Sequence, residues 1–77
     1  MQVVYTDSGV EYTANGKTLS FSGEQEAGEV HLGNTLMGFY ERDEDDNVCI
    51  TDPSGKIVGE FGSSEDEYEE FATSVLV

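Results

Sequence analysis

Short runs of alternating polarity fill most of this chain, and one helical repeat closes it. Val10, Tyr12 and Ala14 alternate with Glu11 and Thr13, and Leu19 and Phe21 alternate with Thr18 and Ser20. A period of two is that of a half-buried strand. Asn15-Gly16 lies between these runs, and both residues tolerate the positive φ of a tight turn, so strands at 10–14 and 17–22 are predicted to form a hairpin. Gln2 to Thr6 (QVVYT), ended by Asp7-Ser8-Gly9, reads as another strand. Ser22 to Gly28 (SGEQEAG) is polar and bounded by glycines, which predicts a loop. Glu29 to Leu32 is a short strand with Val30 and Leu32 inward, and Gly33-Asn34 is a turn. Leu36 to Glu41 is an apolar run, and Gly38 within it suggests a bulge or a close backbone approach. Arg42 to Asn47 (RDEDDN) is a turn and Val48 to Thr51 a strand. Asp52-Pro53-Ser54-Gly55 suits a type I turn, with Asp first, Pro second and Gly fourth. Ile57 to Phe61 returns as the next strand.

The period changes at Ser64. Ser64 followed by Glu67 is a capping box. Tyr68, Phe71, Ala72, Val75 and Leu76 then recur at the spacing of one buried helix face. Asp66, Glu69 and Glu70 fall on the opposite side, while Glu65 and Glu67 flank the first turn, where they suit the positive end of the helix dipole. The fold class is therefore α+β: one domain over residues 1–77, a small antiparallel β-meander of five to six strands, and one C-terminal amphipathic helix packed on one face.

Charge alters this picture more than composition does. Seventeen acids stand against three bases, a net charge of −14. Residues 1–40 carry five acids and one base, and residues 41–77 carry twelve acids and two bases. The dense sites are the turn with Glu41, Asp43, Glu44, Asp45 and Asp46, and the helix with Glu65, Asp66, Glu67, Glu69 and Glu70. So much negative charge argues against direct contact with nucleic acid or an anionic membrane, both of which recruit Lys and Arg. Cys49 is the only cysteine, so no internal disulfide is possible. The start, MQVVYTDSG, has neither the basic residues nor the apolar run of a signal peptide. A cytoplasmic location is expected.

Catalytic chemistry finds little support. His31 is the only histidine and is expected in a strand near Glu29, with no nucleophile assigned to it. Cys49 lies between Val48 and Ile50 with no base nearby to activate it. Asp43, Asp45 and Asn47 match positions 1, 3 and 5 of a calcium loop, but Val48 replaces the glycine at position 6 and Ser54 the glutamate at position 12. Neither an enzyme nor a metal or cofactor site is expected.

What remains is the acidic surface. Fourteen charges correspond to roughly 24 Å of duplex DNA, and a compact chain of this length should be roughly 30 Å wide. The expected function is an acidic binding protein that presents carboxylates to a basic, nucleic-acid-binding protein surface. In size and charge the chain resembles phage-encoded inhibitors of restriction and CRISPR enzymes, a resemblance of bulk properties without a shared motif. The alternative is salt adaptation: proteins of extreme halophiles are acidic throughout, and this would then be a halophilic cytosolic domain whose charge says where it works.

Overall fold

The computed structural model describes all 77 residues. Seven strands precede one helix: β1 Gln2–Thr6, β2 Gly9–Ala14, β3 Lys17–Gly23, β4 Ala27–Leu32, β5 Thr35–Arg42, β6 Asn47–Thr51, β7 Ile57–Gly62 and α1 Glu65–Leu76. They form one antiparallel sheet in chain order, from β1 to β7. The class is α+β as expected, but the strand count is seven instead of five to six. Every apolar run joins the sheet, because each is connected to the next by a turn too short to lead elsewhere. Asn15 at φ 53° and Gly16 at φ 75° form the tight β2–β3 turn that their sequence requires.

The predicted loop over 22–28 is shorter than its composition suggests. β3 runs to Gly23 and β4 begins at Ala27, so Glu24, Gln25 and Glu26 alone make the connection. The glycines serve packing: Gly23 pairs with Gly28, and a Cβ on Gly28 would collide with the ring of Tyr40. Gly38 has a related role. Its Cβ would strike the carbonyl of Thr51, and the β4–β5 register shifts next to it, between Val30 and His31.

Why one short helix covers so wide a sheet follows from curvature. α1 touches β2, β3 and β7, so both sides of the sheet curl towards it. The core joins Tyr12, Leu19, Phe21, Val30, Tyr40, Val48 and Ile50 of the sheet to Ala72 and Leu76 of the helix. Fully burying Leu76 contributes about 1.5–3 kcal/mol. Phe21 is the hub, meeting Tyr12, Tyr40, Tyr68 and Phe71 edge-on with ring centroids 5.3–6.4 Å apart. Phe61 stacks on Phe71 at 5.0 Å, and a Cβ on Gly59 would press into the Phe71 ring. The inner helix face is therefore the one its periodicity marks, with Tyr68, Phe71 and Val75 half-buried around the two fully buried residues.

Burial leaves Tyr12 unable to ionise in the ordinary range. Desolvation, then the neighbouring Tyr5 and Glu69, push its phenol up to about 12. The radius of gyration is 11.3 Å and the principal extents are 33 × 26 × 23 Å.

Candidate functional site

In a meander, strands β1, β3, β5 and β7 all point the same way, so the turns that follow them share one end of the molecule. Those turns hold Asp7, then Glu24 and Glu26, then Asp43 to Asp46, and finally the first helical turn with Glu65, Asp66 and Glu67. Ten of the seventeen acids are thus gathered at one end, with Arg42 as the only base. The opposite end holds Asp52 and both lysines, Lys17 and Lys56. Glu11, Glu29, Glu41 and Glu60 lie in the strands, and Glu69 and Glu70 along the helix.

Backbone hydrogen bonds join the acidic turns to one another. The N–H of Gly23 donates to the carbonyl of Ser8 at 2.8 Å, and the N–H of Arg42 donates to that of Glu26 at 2.7 Å. The N–H of Ser63 donates to the carbonyl of Asp46 at 3.0 Å. The Tyr40 hydroxyl adds a bond to the carbonyl of Glu24. Successive turns are fixed against each other, so the acidic turn and the helix start belong to one surface. Polar backbone groups that would otherwise face water at a strand end find partners here instead.

Individual acids differ in what they do. Asp43 is tied down: its Oδ1 accepts from the N–H groups of Asp45 and Asn47, both at 2.9 Å. Asp46 adopts φ 60° and gives its carbonyl to Ser63. Glu44 and Asp45 are exposed, and their carboxylates accept no hydrogen bond. Asp66, Glu69 and Glu70 are exposed on the outer helix face.

Glu41 lies away from this end, and Glu67, though it belongs to the end, is partly withdrawn from its surface. Glu41 sits in β5, paired with Ala27 and Cys49 in a row that faces away from the helix, because strand alternation separates it from inward Tyr40. Glu67 is half-buried. Ser64 caps the helix as expected, accepting from the Glu67 N–H at 3.3 Å, but the carboxylate lies over Gly62, where no Cβ intervenes. Its Oε2 is buried without a hydrogen bond, as is Nε of Arg42.

Glu65 has a close neighbour in Tyr5. Local desolvation and then the Glu65 carboxylate raise the Tyr5 phenol above its ordinary value. Desolvation followed by Glu60, Glu41 and Asp43 likewise raises the Cys49 thiol, which leaves it a poor nucleophile.

The acids are almost wholly unpaired. The one contact within 4.0 Å between a carboxylate and a basic side chain joins Glu29 to the His31 imidazole at 3.8 Å, and both belong to β4. No three of the acidic, histidine or cysteine side chains converge closely enough to hold a metal ion. No helix is long and apolar enough to cross a membrane. Asp7, Glu24 and Glu26 were not distinguished by their local sequence; the parity of the turns is the signal that places them with the others. Comparison with protein-family models, with curated proteins and with solved structures finds no match.

Proposed function

We propose that this chain is a non-enzymatic acidic binding protein whose carboxylate-rich end and outer helix face engage a basic, nucleic-acid-binding protein surface. The supporting observation is the gathering of ten acids onto one end whose turns are bonded to each other. A pre-ordered array of charge steers association and loses little entropy on docking. The 33 Å long axis is of the same order as the roughly 24 Å of duplex that carries the same charge. Inhibition by nucleic-acid mimicry, of the kind used by phage-encoded anti-restriction and anti-CRISPR proteins, is the role that fits such a surface.

The test is capture of basic proteins from host-cell lysate on the immobilised chain, with duplex DNA as competitor. Capture is expected at low salt, with release by DNA. Asp66→Asn/Glu69→Gln/Glu70→Gln is expected to weaken it at least tenfold, about 1.4 kcal/mol. Undiminished capture by that variant overturns the proposal.

Salt adaptation is the second reading, and the near absence of ion pairs favours it. Unpaired carboxylates suit a surface hydrated by a cation-rich solvent. That reading requires circular dichroism to show an unfolded chain in dilute buffer that folds only near molar KCl. A cooperative fold at low salt excludes it.

A further inference from the structure

The sheet has two free edges, and they are built differently. An edge strand offers a row of unpaired N–H and C=O groups, which proteins blunt with charge, proline, bulges or cover. β7 carries Glu60, has a register irregularity against β6 at Ile50/Thr51, and is packed by α1. β1 has none of these devices. Its sequence, QVVYT, contains no charge and no proline, and it pairs with β2 through five consecutive residues without interruption. Val4 and Tyr5 are 41% and 66% exposed. In a chain with 17 acids, this uncharged strip at an open edge is the one place where close approach of another backbone meets no carboxylate on the strand itself.

We propose that β1 is a self-association edge. Two copies of the chain pair through β1 in antiparallel register centred on Val4, which joins their sheets across a two-fold axis. In this register Val4 faces Val4 of the second copy, Val3 faces Tyr5, and Gln2 faces Thr6. Each pairing is apolar or neutral, and the contact is isologous, so it closes at two copies.

Charge placement selects both the occupant and its direction. β1 runs from the lysine-bearing end towards Asp7 at the acidic end. Antiparallel pairing therefore sets the acidic end of each copy beside the lysine end of the other. Parallel pairing would place two acidic ends together. The two net charges of −14 still oppose contact, and that opposition is screened as the Debye length falls from about 30 Å at 0.01 M salt to about 3 Å at 1 M. A five-residue strand is about 17 Å long, so the interface is small against the roughly 1,600 Å² of a standard complex. The dimer is accordingly reversible and forms at high salt.

Sedimentation velocity across a KCl series reads it directly. The wild-type chain is expected to move from 8.4 kDa in dilute buffer to twice that mass near molar salt. Val4→Lys is expected to remain monomeric throughout, with its circular dichroism retained, and Val58→Lys on the β7 edge to dimerise normally. In a Cys49→Ser background, Val4→Cys is expected to form a covalent dimer on mild oxidation at high salt. Facing residues lie about 4.5–5.5 Å apart, within disulfide reach. Val3→Cys, opposite Tyr5, is expected not to cross-link. A monomer at every salt concentration overturns the proposal, as does loss of association in Val58→Lys, which would mean head-to-tail β1–β7 contact. Should Val4→Lys fail to fold, the cross-link decides, and absence of the Val4→Cys dimer overturns the proposal.

Discussion

The β5–β6 and β6–β7 turns are one five-residue loop built twice from different residues. In each, the first residue is an aspartate: Asp43 in one, Asp52 in the other. Its N–H donates to the carbonyl of the fifth residue, Asn47 at 2.9 Å or Lys56 at 2.8 Å. The N–H of the fourth residue donates to its carbonyl, Asp46 at 3.1 Å or Gly55 at 2.9 Å. Its Oδ1 accepts from the third and fifth N–H groups, at 2.9 Å twice in the first loop and at 3.0 and 2.9 Å in the second. The fourth residue is left-handed in both, at φ 60° for Asp46 and φ 94° for Gly55. The second loop, DPSGK, fills these places with what the geometry favours: proline second and glycine in the left-handed position. The first, DEDDN, fills them with acids. Only Asp43 is needed to shape it. Glu44, Asp45 and Asp46 add charge that the turn does not use, and Asp46 does so in a conformation that disfavours a side chain. Folding explains the second loop and leaves the acids of the first to be explained by what they face.

Both loops hang from one seven-stranded sheet, and removal of the residue that holds the sheet to its helix should disturb them together. Phe71 stacks on Phe61 and packs over Gly59, so it fixes β7, to which the β6–β7 loop leads. Phe71→Ala is expected to cost about 3 kcal/mol, a large part of the stability of a small domain. Urea unfolding followed by circular dichroism should show the loss, and amide exchange should show Asp45 and Ser54 losing protection together. Persistent order in the first loop alone would mean that the two loops are held by different units.

Much of this architecture is legible in the chain because it is decided locally. Asn15-Gly16, the Asp52 turn and the Ser64 cap each announce themselves within four residues, and the helix face follows from its period. What was not legible depends on distant partners. Gly23 and Gly28 read as loop residues, yet they are strand residues, Gly28 kept small for the ring of Tyr40 and Gly23 for the backbone of Gly28 beside it. Glu67 reads as one arm of a capping box, yet its carboxylate settles over Gly62. The acidic end was half visible: the two dense clusters stand out, whereas Asp7, Glu24 and Glu26 join them only when strand direction is followed through the meander. Glu41, one residue from the turn, is carried to the outer sheet face by strand alternation.

Rewriting the first loop as the second separates what the turn needs from what its acids add. Glu44→Pro/Asp45→Ser/Asp46→Gly removes three carboxylates and keeps the Asp43 bonds. Relief of the left-handed strain, the fixed φ of proline and the reduced self-repulsion are expected to raise stability by about 1 kcal/mol. The same variant is expected to lose at least tenfold in capture of basic proteins, the pattern of a charge retained against folding. A variant that is steadier and binds unchanged would confine the proposed contact to the helix face. One that is less stable would mean that the acids support the turn.

The smallest effect concerns Asp52, the counterpart in the second loop of Asp43 in the first. The Asp52 carboxyl is held below its ordinary 3.8, first by the Ser54 hydroxyl at 2.6 Å, then by the N–H groups of Lys56 and Ser54. Its folded pKa is thus depressed, so the ionised form is the one the turn favours. The stabilisation is full above 3.8 and fades as pH falls through the lower folded value. Asp52→Ala is therefore expected to lie slightly below wild type in melting temperature at pH 7, with the gap narrowing towards pH 3. A gap that is the same at both pH values would mean that the carboxylate bonds do not hold the turn. Pro53 and Gly55 would then shape the second loop unaided, and the first loop, which has neither, would depend on Asp43 more heavily than its twin depends on Asp52.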